Sequence, residues 1–283
     1  MGGTMQFPGA IDGLVQLALA AGREIMALRP SGRDARAKTD GSPVTAADEA
    51  AERIITAGLA ELFPRLPVVA EERVAADDVP TDLGSRFVLV DPLDGTKEFV
   101  DGRPEFTVNI AIVENGAPVT GVIVAPAMGE GFAGGHGTAW AFRCDADGLR
   151  DVETIRARPR ASQLAAVVSR SHATPETLGY LEQFAVAEQL SYGSSLKLAK
   201  IAEGKADIYP RLGRTMEWDI AAGDAILRAA GGFVTTLDGQ PMTYGKMPPV
   251  VDAPFANPYF VAFGAWPMGD ISATFARKSD VAP

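Results

Sequence analysis

Residues 87–106 read FVLVDPLDGTKEFVDGRPEF, and two aspartates three positions apart, Asp91 and Asp94, follow an apolar run. The run 87–90 has the composition of a buried strand, which is expected to stop where the acids start. Pro92 fixes φ and removes a donor, and Gly95 permits a turn closed to other residues, so both carboxylates sit on a rigid bend at the strand's carboxyl end. Carboxylates converging there repel one another unless a cation lies between them, and oxygen ligands suit Mg²⁺, Mn²⁺ or Ca²⁺. Zinc sites lean on His and Cys, of which the chain has two and one. The same turn could instead aim its Asp side chains at local backbone amides, as Asp-Gly turns do.

Two further element ends carry acids. The apolar run 67–70 ends in Glu71 and Glu72, and Glu217, Trp218 and Asp219 open the small-residue stretch IAAGDAILRAAGG. An acid in the first turn of a helix is favoured by the macrodipole alone. Three acid-terminated ends in one chain point instead to a shared site.

The elements that must position these acids can be read in order. Residues 11–28 have helical apolar spacing closed by Arg29 and Pro30, and 31–42, with Lys38 and Asp40-Gly41, read as a loop or short hairpin. A second helix spans 45–63, where Thr45 and Asp48 match the capping pattern of a hydroxyl followed three residues on by an acid. Two β-rich runs between 106 and 125 are joined by Asn115-Gly116, a hairpin signal. Gly129, Gly131 and Gly134 match a dinucleotide-binding spacing, but no helix pattern follows, so a glycine-rich connection between strands is expected. A basic, proline-containing link at 156–160 marks a boundary. It divides the chain into an α+β part at 1–158, an α/β part at 159–268 and a tail at 269–283. The second part should alternate strand 164–169, helix 175–187, helix 196–203, strand 206–209, helix 218–230 and strand 233–236.

Composition bounds the function. The 283 residues are 47% hydrophobic, enough for a sizeable core, and no run reaches transmembrane length. With 36 acids against 26 bases the net charge is −10, which opposes binding to a nucleic-acid polymer. The start lacks a basic segment ahead of an apolar stretch, so no signal peptide is expected, and the one cysteine, Cys144, excludes an internal disulfide and suits a reducing cytoplasm.

Beyond these physical readings, PVTAADEAAE at 43–52, VVAEE at 68–72, VDPLDGTKEF at 90–99 and EWDIAAGDAILRAAGG at 217–232 resemble the ordered signatures of the lithium-sensitive, magnesium-dependent phosphomonoesterases, the superfamily of the inositol monophosphatases. TKEF, VVSRSHA at 167–173 and GSSLK at 193–197 are similar to its 3'(2'),5'-bisphosphate nucleotidase branch. The resemblance implies an α/β fold, a layered α/β/α/β/α sandwich of two subdomains with the metals between them. It implies two or more Mg²⁺ ions, replaceable by Mn²⁺, held by Glu71, Asp91, Asp94, Asp219 and the Leu93 carbonyl, and a water oriented by Asp48 and Thr96. The substrate would be 3'-phosphoadenosine 5'-phosphate or its sulfated relative, contacted by Glu71, Leu93, Asp94, Gly95, Thr96, His172, Gly193, Ser194, Ser195, Lys197, Arg211 and Asp219. Read without the resemblance, Gly193 to Ser195 is an ordinary helix cap ahead of a solvated Lys197, and His172 and Arg211 are surface residues. Three other functions compete. An inositol or sugar-phosphate phosphatase would share the metal ligands, an aspartyl-phosphate enzyme of the haloacid-dehalogenase type wants its two Asp residues two apart, and a non-catalytic metal- or nucleotide-binding regulator needs no water activator.

Overall fold

Apolar residues at 11, 14, 15, 18 and 25 fall on one face of helix α1 (Ala10–Leu28) and are buried along it. In the computed structural model, which describes residues 7–29, 35–37, 43–145, 148–169, 174–247 and 252–267, this helix is followed by β1 (Arg36–Ala37), β2 (Pro43–Val44) and α2 (Ala46–Leu62). The first large sheet and its interruptions come next: β3 (Val68–Ala70), α3 (Glu71–Ala75), β4 (Arg86–Asp94), α4 (Thr96–Val100), β5 (Thr107–Glu114), β6 (Ala117–Ala125), β7 (Glu130–Gly135), β8 (Thr138–Asp145) and β9 (Gly148–Ile155). The second sheet is built from β10 (Leu164–Ser169), α5 (Pro175–Leu181), β11 (Val186–Tyr192), α6 (Leu196–Ala202), β12 (Ile208–Arg211), α7 (Glu217–Ala229), β13 (Phe233–Thr236) and β14 (Phe260–Phe263).

The first sheet has seven strands in chain order, and the second has five in the order β11-β10-β12-β14-β13. In the first, only β3 and β4 are parallel. Its central strands are covered on both faces. Phe87, Leu89, Ala111 and Val113 enter one core, while Val88, Val90, Ile110 and Ile112 enter another with α1 and α2. Helices α6 and α7 fill the space between the two sheets, and α5 closes the far side over Leu164, Ala166 and Val168. The result is the five-layer α/β/α/β/α order. Among the described residues no helix is long and apolar enough to cross a membrane.

Several expectations are corrected. Strand β4 does not stop at Val90: it runs through both acids to Asp94, with its pairing to β5 interrupted between Asp91 and Asp94. A bulge there accommodates Pro92, which has no N–H to give a regular ladder. The glycine-rich stretch is not a connection but strand β7. Gly134, with Gly121 of β6, lets α7 approach: a Cβ on Gly121 would lie 2.3 Å from the Ala222 carbonyl oxygen, and one on Gly134 would lie 2.6 Å from Ile226 Cα. The helix expected over 175–187 ends at Leu181, and Val186–Tyr192 is an edge strand parallel to β10. Its side chains are mostly exposed, so its composition carries no strand signal. The strand expected at 206–209 lies at Ile208–Arg211, and β9 and β14 were not anticipated. Of the segment 31–42 the structure describes 35–37, where β1 pairs antiparallel with β2. Lys38 and the tail at 269–283 lie outside the described residues.

Candidate active site

The bulge that ends β4 fixes the centre of the site. Asp91 is buried, and its Oδ1 accepts a hydrogen bond from the Leu93 amide at 3.1 Å. Gly95 follows at φ 90°, a left-handed conformation, with the Glu105 carbonyl oxygen 3.1 Å from where a Cβ would stand. That turn starts α4 at Thr96, whose hydroxyl lies 3.0 Å from Asp48 Oδ1 and 3.1 Å from the Leu93 carbonyl oxygen. Both neighbours accept only, so the single hydroxyl proton is directed at them and the oxygen keeps a lone pair for a donor from the cleft.

Asp48 serves the cap and the site together. Its Oδ2 accepts from the Thr45 amide at 2.8 Å and the Thr45 hydroxyl at 2.7 Å, while Oδ1 meets Thr96. Asp219 is placed in the same way at the third position of α7, with Oδ2 accepting from the Met216 amide at 2.8 Å. The capping geometry that explained each acid locally is the device that aims it.

Glu71, Asp94 and Asp219 line one cleft, together with Gly95, Thr96, Gly193, Ser194, Ser195, Lys197 and Arg211. Asp48, Asp91 and Leu93 stand behind that wall. Burial, then the charges of Asp94 and Glu71, push the Asp219 carboxyl well above the usual carboxylate range. Burial also raises Asp94, against the opposing pull of Lys197, the Ser194 hydroxyl and the Ser195 amide. Lys197 is pushed down to about 8, first by burial and then by Arg211, with Asp94 the largest effect in the other direction. Its ammonium bonds the Ser194 carbonyl and lies 5.6 Å from the Tyr209 ring centroid. Arg211 donates to the Arg214 carbonyl at 3.1 Å, and its Nε has no partner among the described residues.

Other expectations resolve differently. Glu217 does not join the cleft; its carboxylate takes the Gly245 and Lys246 amides at 2.6 and 2.9 Å. His172 lies outside the described residues. Among the wall residues that had not been singled out are Lys97 and Glu98, inside the central motif, and Arg214 and Thr215, ahead of α7. Glu52 was also missed. It is a buried acid whose Oε2 accepts from the Glu72 amide at 2.8 Å, bracing the turn on which Glu71 sits. Its only sequence signal was an acid one helical turn after Asp48.

Among the described residues no three acid, His or Cys side chains form a finished metal cage. They supply a set of oxygen donors whose negative charges oppose one another in a buried cleft. Such a set fits a hard divalent cation.

The chain matches the model of the inositol monophosphatase family over residues 10–262. The 3'(2'),5'-bisphosphate nucleotidase CysQ of Escherichia coli (strain K12) is 44% identical over 237 residues, covering 83% of this chain and 93% of that protein. Among solved structures, CysQ from Bacteroides thetaiotaomicron, a bacterial member of the inositol monophosphatase family, superposes with a TM-score of 0.72 at 35% identity, covering 89% of this chain and 96% of that one. The Thermotoga maritima IMPase gives 0.71 at 26% identity over 94% and 96% of the two chains.

Proposed function

The chain belongs to the inositol monophosphatase family, and from that premise we propose that it is a 3'(2'),5'-bisphosphate nucleotidase. It removes the 3'-phosphate of 3'-phosphoadenosine 5'-phosphate, and of its sulfated relative, to leave a 5'-nucleotide and phosphate. The observation that carries this reading is a single cleft lined by the acids Glu71, Asp94 and Asp219 and by the cations Lys197 and Arg211. Acids suit ions at a reacting phosphate, and cations suit a second anionic group that an inositol monophosphate lacks.

Glu71, Asp91, Asp94, Asp219 and the Leu93 carbonyl would hold two or more Mg²⁺ ions, with Mn²⁺ able to replace them. When bound, such ions supply Lewis-acid polarisation and neutralise charge building on the leaving oxygen. Thr96, its proton turned towards Asp48 and Leu93, accepts a hydrogen bond from the attacking water and aims the water's remaining lone pair at phosphorus. Lys197 and Arg211 hold the 5'-phosphate. Asp91 and Asp94 stand three apart, not the two apart that an aspartyl-phosphate enzyme of the haloacid-dehalogenase type wants, and with a water as the attacking group the reaction needs no aspartyl-phosphate. We further assign the metal site to 1–158, completed by Asp219 from 159–268, and the contacts to the rest of the substrate to 159–268, with Gly193 to Ser195 among them, and place the enzyme in the cytoplasm.

Phosphate release from 3'-phosphoadenosine 5'-phosphate, myo-inositol 1-phosphate and fructose 1,6-bisphosphate with Mg²⁺ tests the reading. The first should be the preferred substrate; preference for inositol 1-phosphate transfers the assignment to the inositol branch. Lys197→Ala and Arg211→Ala should each lower kcat/KM for the nucleotide by about 10- to 100-fold, the worth of a charge-assisted phosphate contact. Any slow inositol 1-phosphate hydrolysis should stay near its original rate. Equal loss of both activities would show that these cations do not read the second phosphate. Lithium should inhibit hydrolysis where K⁺ at equal ionic strength does not, the K⁺ arm controlling for screening. Equal responses to the two salts count against lithium sensitivity.

A further inference from the structure

Thr107 and Asn109 belong to the first-half sheet, yet their side chains hold a loop of the second half. In the β4–β5 ladder Asp94 pairs with Thr107 and Asp91 with Asn109, so the two residues stand directly across from the two acids of the central motif. Both are buried. Thr107 Oγ1 lies 2.6 Å from Ser194 Oγ and 2.8 Å from Ser195 Oγ, and the Ser195 hydroxyl donates to Asn109 Oδ1 at 2.7 Å. Both serines line the cleft beside Asp94, and the Ser194 side chain and the Ser195 amide draw its carboxyl down against burial.

These contacts form one chain. The Asn109 carbonyl oxygen can only accept, so the Ser195 proton goes to it; Thr107 then gives its proton to Ser195, and Ser194 gives its own to Thr107. Thr107 is therefore the member that joins the two serines. The loop it holds is not a relaxed one. Ser194 has φ 51°, a left-handed conformation for a residue with a Cβ, and a Cβ on the preceding Gly193 would lie only 2.9 Å from Glu105 Cβ. A conformation of this kind persists where its surroundings over-determine it.

We propose that Thr107 is a positioning residue, with Asn109 as its support: it locks Ser194 and Ser195 in the strained loop conformation that both orients the Asp94 carboxylate and presents the loop to substrate. The proposal rests on the phosphatase reading for its effect on turnover, but its effect on Asp94 can be measured without turnover. The outer partners of a ligating carboxylate are worth on the order of 10-fold or more in affinity or activity.

The test compares Thr107→Val, which keeps the shape and removes the hydroxyl, with Thr107→Ser, which keeps the hydroxyl. Mn²⁺ binding is followed by water proton relaxation, kcat and KM are measured for 3'-phosphoadenosine 5'-phosphate, and melting checks the fold. Thr107→Val should weaken Mn²⁺ binding and lower kcat/KM by about tenfold each, with Thr107→Ser within about twofold of wild type on both. Combining Thr107→Val with Ser195→Ala should add little, because both break the same chain of hydrogen bonds. Wild-type Mn²⁺ binding in Thr107→Val, or a Thr107→Ser variant as impaired as Thr107→Val, overturns the proposal. If the wild-type enzyme hydrolyses none of the phosphate esters, the phosphatase reading fails, while the Mn²⁺ comparison between Val and Ser still decides the role of Thr107.

Discussion

Asp94→Asn should release phosphate at least about 10³-fold more slowly than wild type at saturating Mg²⁺, because stabilising the charge of the transition state through bound ions is worth several kcal/mol. Asp91→Asn should fall as far. The Asp94 substitution should leave the fold intact and make the metal-free protein more stable. Burial raises the Asp94 carboxyl above its ordinary value, and Asp219 is raised further by burial with Asp94 and Glu71 beside it. The sign follows from linkage: an acid raised on folding costs nothing below its unfolded pKa of about 4, and its cost grows as pH climbs towards the folded value. In chelator, Asp94→Asn should therefore melt with wild type near pH 4 and above it at neutral pH. The gap should be about 2–4 °C for each kcal/mol of repulsion relieved. Turnover by Asp94→Asn in the presence of chelator, or a melting gap that closes as pH rises, would refute a cation site at these acids.

Asp48→Asn and Thr96→Ala should each cost on the order of 10²-fold in kcat with the Mg²⁺ half-saturation little changed. The first keeps an oxygen for the Thr45 cap but can present an amide where Oδ1 accepts from Thr96, so the Thr96 hydroxyl loses the partner that holds its proton away from the cleft. The second removes the hydroxyl. Since both disturb one water, the double variant should be little slower than either single one. A lowered melting temperature with unchanged kcat in Asp48→Asn would reduce Asp48 to a helix cap.

The acids of the site were legible because each stands where an apolar run or a small-residue helix begins or ends, a boundary written in residue types. Asp48 could be read as a cap and Asp219 as a charge against the macrodipole, or each as a site residue, and only the geometry shows one oxygen of each given to the start of its helix. The extent of β4 was not legible, since Pro92 marks the end of a strand in every context except a bulge. Strand β11 was hidden because an exposed edge strand can carry the Ala, Glu and Gln of a helix. Thr107 and Asn109 were hidden for a different reason. Within TVNIAIVE a polar residue at alternate positions reads as the solvent face of a half-buried strand, whereas both faces here are covered and the polar pair meets a loop 86 to 87 residues away. Arg214 lies on the wall by virtue of tertiary contacts that no local pattern encodes.

Gly121 and Gly134 have a mechanical consequence for the cleft. They support α7 at Ala222 and Ile226, and Asp219 lies in the first turn of the same helix. The helix is a stiff rod packed along β5, β6 and β7 and set closest at these two points of bare backbone, with the cleft carboxylate of Asp219 at its leading end. A methyl group added at either point would act as a wedge under the rod. It would tilt the tip and change the gap between Asp219 and Asp94, in a cleft that neither glycine lines. The missing side chains thus work as a spacer gauge for the site.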